Sequence, residues 1–119
     1  VRASVAAICY QVLAPLSARE KDAGIPLSGL RVDGGASDNN YLMQTQADLL
    51  GTDVLRPACV ETTALGAASL AGLACGFYEG HAKQNISARF PTRIGEIERA
   101  ERLNGWRRAV RCAVAWTES

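Results

Sequence analysis

An interruption constrains this chain more than any other feature. "LSGLRVD", residues 27–33, has the length and apolar character of a short buried strand, and it stops at two glycines, Gly34 and Gly35. A helical pattern follows over 38–50. Leu42, Gln46 and Leu49 form one stripe and Met43, Ala47 and Leu50 an adjoining one, with Gly51 in the usual C-terminal position. "TDVLR", 52–56, reads as a second strand ended by Pro57. Strand, helix, strand in that order predicts a right-handed crossover joining two parallel strands, and hence an α/β fold.

The glycine turn "DGGASDNN" is where chemistry is expected. Without Cβ atoms the backbone can take φ > 0, and a ligand can approach the main chain. The helix that opens next offers unpaired N–H groups and a partial positive charge. Asn39 adds a donor and an acceptor within the first turn. Two readings stay open on local pattern alone: an anion or nucleotide site, or a tight turn in which Ser37 or Asp38 caps the helix. The turn is neither G-x-G-x-x-G nor G-x-x-x-x-G-K-[ST], so it lacks the residues that define those phosphate loops. Asp33 and Asp38 as an acid–base pair is the weaker idea, since a capping Asp beside a glycine turn is commonplace.

The flanks are helical. Val5, Ile8, Val12 and Leu16 line one face of a helix over 1–22, which Gly24 and Pro26 should stop. Pro15 should kink that helix or end it early, at a cost of ~3 kcal/mol. "ETTALGAASLAGLACGFYEG", 61–80, reads as an Ala/Gly helix capped by Thr62 or Thr63. Gly66 and Gly72 each cost ~1 kcal/mol relative to Ala there, which implies close approach of a neighbour. "ARF", 88–90, fits a short edge strand. A last helix over 95–117 should bury Leu103, Trp106, Val110 and Ala113, with Glu96, Glu98 and Glu101 early and Arg107, Arg108 and Arg111 late, as the helix dipole favours.

Composition narrows the function classes. With 13 basic and 12 acidic residues the net charge is +1, which argues for no nucleic-acid partner and a solvated arginine face. No apolar run reaches the ~20 residues of a membrane span. Cys9, Cys59, Cys75 and Cys112 form no C-x-x-C pair and the single histidine, His81, has no cysteine near it, so the expectation is buried free thiols and no metal site. No signal peptide is read at the start, and the opening residues look like mid-helix sequence, as in a fragment. Two strands make a thin sheet, so folding in isolation is expected to be marginal.

Taken in order, "LRVDGGASDNNYLMQTQADLLGTDVLRP", "ETTALGAASLAGLACGFYEG" and "GWRRAVRCAVAW" closely resemble the C-terminal domain of the FGGY carbohydrate kinases, within the actin, hexokinase and Hsp70 superfamily. The "RP…ETTALGAA" segment resembles the glycerol kinases of that family more than its xylulose, ribulose or gluconate kinases. The resemblance implies a partial actin/hexokinase/Hsp70-like (ribonuclease H-like) fold, with residues 1–119 forming the C-terminal portion of the second kinase domain and the N-terminal domain absent. It implies an adenine nucleotide site in which Gly34 gives the turn its freedom, Gly35 and Ala36 lie against the nucleotide and Asn39 reaches the base; Asp33 would shape the turn. It further implies ATP with Mg²⁺ held through the phosphates, glycerol bound by the part not present here, a cytoplasmic setting and a homo-oligomer when full length. No catalytic, substrate or metal residue is carried over onto these 119 residues, and helix 62–77 would brace the nucleotide side.

Overall fold

The computed structural model describes residues 1–80 and 83–118; His81 lies outside them. The chain opens with a helix, α1 (Arg2–Ala23), which runs through Pro15 and does not end there. Pro15 is exposed, while Val12, Leu13 and Leu16 around it are half-buried. Packing on both sides of the proline therefore holds a helix that propensity alone would break. Gly24, at φ 64°, closes it with an N–H bond to the Glu20 carbonyl of 2.9 Å.

The first strand, β1, is shorter than its apolar run: only Leu30–Arg31 pairs. A 3-10 turn over Gly35–Asp38 leads into α2 (Asn40–Leu50), and Gly51 at φ 72° ends that helix as expected. The second strand, β2 (Val54–Pro57), lies parallel to β1, with Leu30 opposite Val54 and Arg31 opposite Leu55. Pro57 thus closes β2 from inside it. Its missing N–H falls at the ladder's irregularity, between Arg56 and Pro57. After α3 (Thr62–Ala74), the strand β3 (Ile86–Phe90) pairs with β2 and runs antiparallel to it. The sheet is therefore mixed, in the order β1-β2-β3, where sequence pattern had supplied two parallel strands and a three-residue edge. A long helix, α4 (Glu96–Glu118), completes the chain.

The core sits where α1, α2 and the sheet meet. Cys9, Leu42, Met43, Ala47, Leu49 and Val54 are buried, with Val5, Tyr10, Leu30, Val32 and Phe90 packed against them. Both α2 stripes therefore face inward, as the periodicity indicated. Gln46 is buried with them and its Nε2 donates to the Cys9 carbonyl at 3.4 Å. The Cys9 thiol lies 3.7 Å from the Leu42 carbonyl, and burial pushes its pKa up to about 11.

The other elements depart from expectation. All four cysteines are free, but Cys75 and Cys112 are exposed and only Cys9 is buried. Helix α3 is shorter than its sequence pattern. It buries only Ser69, and Gly66 faces open space. Gly72 does accept a close neighbour, but that neighbour is the Tyr78 ring, which a Cβ would strike. Neither Thr62 nor Thr63 caps the helix; Glu61 holds the cap position without a side-chain bond. On α4, Leu103 and Trp106 are half-buried, and Trp106 stacks on Tyr10 with centroids 4.9 Å apart. Val110 and Ala113 are exposed because the C-terminal half of α4 extends past the core. Arg107, Arg108 and Arg111 lie on this exposed portion, as a solvated face.

The outcome is an elongated body of 61 × 34 × 33 Å, with a radius of gyration of 17.9 Å. A compact chain of this length would have about 13.5 Å. No described helix is long and apolar enough to cross a membrane.

Candidate functional site

The carboxyl ends of the parallel strands β1 and β2 point the same way, which is where open α/β sheets place their ligands. The loops leaving those ends are tied together. The Gly34 N–H donates to the Val60 carbonyl at 2.7 Å, and the Thr62 hydroxyl donates to Asp33 Oδ2 at 2.5 Å. Asp33 thus joins the end of β1 to the start of α3. With Arg31, Pro57 and Gln84, the pair lines an open cleft of about 360 Å³.

The two glycines have different physical reasons. Gly34 has φ 80° and ψ 165°, a backbone that side-chain-bearing residues rarely adopt. Its carbonyl accepts from the Ser37 N–H at 3.0 Å and the Ser37 hydroxyl at 2.6 Å, which closes the 3-10 turn. Gly35 is not among the positive-φ glycines, it is exposed, and a Cβ there would meet nothing within 4 Å. The fold of the chain would therefore accept a side chain at 35. Ala36 beside it is also exposed.

Asn39, not Ser37 or Asp38, caps α2: its Oδ1 accepts from the Leu42 N–H at 3.1 Å. Ser37 is buried and committed to Gly34, and Asp38 ends the 3-10 turn, so the helix starts later than the sequence pattern suggests. The cap uses the oxygen of Asn39 and turns its NH₂ group into a donor without a partner among the described residues. Gly34, Gly35, Ala36 and Asn39 thus share one short turn at the strand ends.

Sequence reasoning missed Arg56. From β2 its Nη1 donates to the Ser37 carbonyl at 3.2 Å, the Asp38 carbonyl at 3.3 Å and Asn40 Oδ1 at 2.7 Å. The guanidinium carbon also sits 5.3 Å from the centre of the Phe90 ring. An arginine within an apolar strand was the available signal.

This turn has known counterparts. The C-terminal domain of the FGGY family of carbohydrate kinases matches residues 1–75, which includes the whole turn. The chain belongs to that family. Among curated relatives, the chain is 52% identical over 122 residues to a glycerol kinase of Lachnoclostridium phytofermentans and 52% identical over 120 residues to one of Vibrio cholerae serotype O1. These alignments cover 99% and 98% of the chain but 24% of each relative. The chain spans about a quarter of the length of the curated relatives it matches. The fold also matches a crystal structure of Plasmodium falciparum glycerol kinase with ADP, at a TM-score of 0.76 and 29% identity over 92% of this chain and 23% of that one. The mixed sheet and flanking helices are thus a part of an actin/hexokinase-like kinase fold, long terminal helix included.

Proposed function

We propose that the turn Gly34–Asn39 lies against an adenine nucleotide, and that this chain forms the nucleotide side of the second domain of an ATP-dependent glycerol kinase. The observation that carries the reading is position 35. Its glycine answers no backbone or packing need within the described residues, and what an added side chain would enter is the open space beside the strand ends. A ligand seated on the main chain supplies the missing need. The relatives named glycerol kinase, and the solved relative titled with ADP, support a nucleotide as that ligand.

In this reading Gly34 sets the turn, Gly35 and Ala36 form the surface under the nucleotide, and the Asn39 NH₂ meets the base while its oxygen holds the helix. The full-length enzyme transfers the γ-phosphoryl group of ATP to a terminal hydroxyl of glycerol, giving glycerol 3-phosphate and ADP. The carboxylate that takes the hydroxyl proton and the glycerol-binding groups belong to the rest of the protein. The described residues hold no group of three or more His, Cys, Asp or Glu side chains suited to a metal ion. In this reading Mg²⁺ comes to this side on the nucleotide's phosphates, where it neutralises their charge. Four unpaired cysteines suit a reducing cytoplasm, and in this reading the full-length protein is a homo-oligomer.

The test is Gly35→Val in the full-length protein. Forcing atoms into an occupied contact costs ~1–3 kcal/mol, so the Kd for ADP and the KM for ATP should rise roughly five- to 150-fold. The KM for glycerol and the thermal midpoint should stay near the parent's. An unchanged ADP affinity would remove the site assignment; turnover with a pentulose and not glycerol would keep the site and replace the substrate.

A further inference from the structure

The geometry points to Arg56 as a positioning residue for this turn, a role that rests on the turn's reading as a nucleotide site. The three acceptors that Arg56 engages lie on both sides of Asn39: the carbonyls of Ser37 and Asp38 before it and the side chain of Asn40 after it. Those carbonyls end a 3-10 turn, where backbone acceptors lack partners of their own. Among the described residues Arg56 forms no ion pair, although Asp38 is beside it; it takes the backbone carbonyl of that residue instead.

Electrostatics sharpens the point. A cation at the N-terminus of α2 works against the helix dipole, so Arg56 is not placed there to stabilise that helix. Its gain is the fixed path of residues 37–40, and with it the direction of the Asn39 side chain. Arg56 is itself held: its strand pairs on both edges, and its guanidinium lies over Phe90. The turn that would touch the nucleotide is thus referenced to the central strand of the sheet. Because Nη1 alone serves all three acceptors, with one of its two N–H groups shared between a pair of them, a lysine ammonium, with its three donors, can take over much of the role.

The experiment uses the full-length protein with Arg56→Met, Arg56→Lys and Gly35→Val side by side, reading the Kd for ADP by calorimetry and the KM values for ATP and glycerol. Arg56→Met should weaken ADP roughly tenfold, as loss of charge-assisted bonds would, and leave the KM for glycerol within about twofold. Arg56→Lys should recover most of the loss. If Gly35→Val loses ADP affinity and Arg56→Met does not, Arg56 has no positioning role. A loss shared equally by ATP and glycerol also overturns it, because it marks general destabilisation. If neither variant changes ADP affinity, the nucleotide reading itself falls and takes this one with it. Should Arg56→Met fail to fold, Asn40→Ala decides: it removes the 2.7 Å bond at the exposed end, and about threefold weaker ADP binding is expected against none if the bracing is irrelevant.

Discussion

In the proposed nucleotide site Asn39 has two duties on one amide group, and the two can be separated. Its oxygen caps α2 through the Leu42 N–H, while its NH₂ would meet the base. Aspartate keeps an acceptor of equal capping quality and adds a negative charge that a helix N-terminus favours. It has no NH₂ to offer. Asn39→Asp in the full-length protein should therefore unfold at the parent's temperature or above it, yet bind ADP at least about tenfold more weakly. Asn39→Ala should lose both, with about 1 kcal/mol of stability from the cap. Equal ADP affinity in the Asp variant, measured by calorimetry, would reduce Asn39 to a cap alone. The residues of this turn were legible because glycine and asparagine have few uses there. Which polar residue caps the helix was not, since Ser37, Asp38 and Asn39 are alike as caps and only the 3-10 turn decides among them.

At the scale of elements, local pattern located every helix but judged their surroundings unevenly. The α2 stripes were readable because both faces they define are buried by α1 and the sheet. The α4 stripe of Leu103, Trp106, Val110 and Ala113 is half-buried at Leu103 and Trp106 and exposed at Val110 and Ala113. The antiparallel pairing of β3 with β2 is set by a contact between distant segments, and no periodicity within "ISARF" reports it. Pro15 shows the opposite conflict, a local breaker overruled by packing. Its exposed position inside α1 leaves the Gln11 carbonyl without its usual helical partner. Pro15→Ala should restore that bond and stabilise the full-length protein by about 1–3 kcal/mol, seen as a higher denaturant midpoint. A lower midpoint would mean that the proline shapes α1 for a contact beyond this chain.

The whole molecule is open for its size. Its accessible surface is 8489 Å², where a compact monomer of 12.6 kDa would show about 6,200 Å². Large apolar side chains such as Leu70, Phe77, Ile97 and Trp116 are among the exposed residues. An excess area of that order is what obligate interfaces bury. Residues 1–119 prepared alone should therefore bind a hydrophobic dye, elute as larger species at high concentration and form no glycerol-dependent ADP; a dye-silent monomer with a sharp thermal transition would contradict this. One contact also ties the first helix of the chain to the last. Tyr10 touches α4 through the Trp106 stack and through a 3.2 Å bond from its hydroxyl to the Arg102 carbonyl, 92 residues away. Closing a loop of that length in a disordered chain costs about 4 kcal/mol, more than one aromatic stack and one hydrogen bond return. Arg99 reaches the Asp48 carbonyl at 2.9 Å across a span of only 51 residues. With α1 and α4 both packed on α2, that loop is largely closed already, and the Tyr10–Trp106 stack fastens the first helix to the last at little further entropic cost.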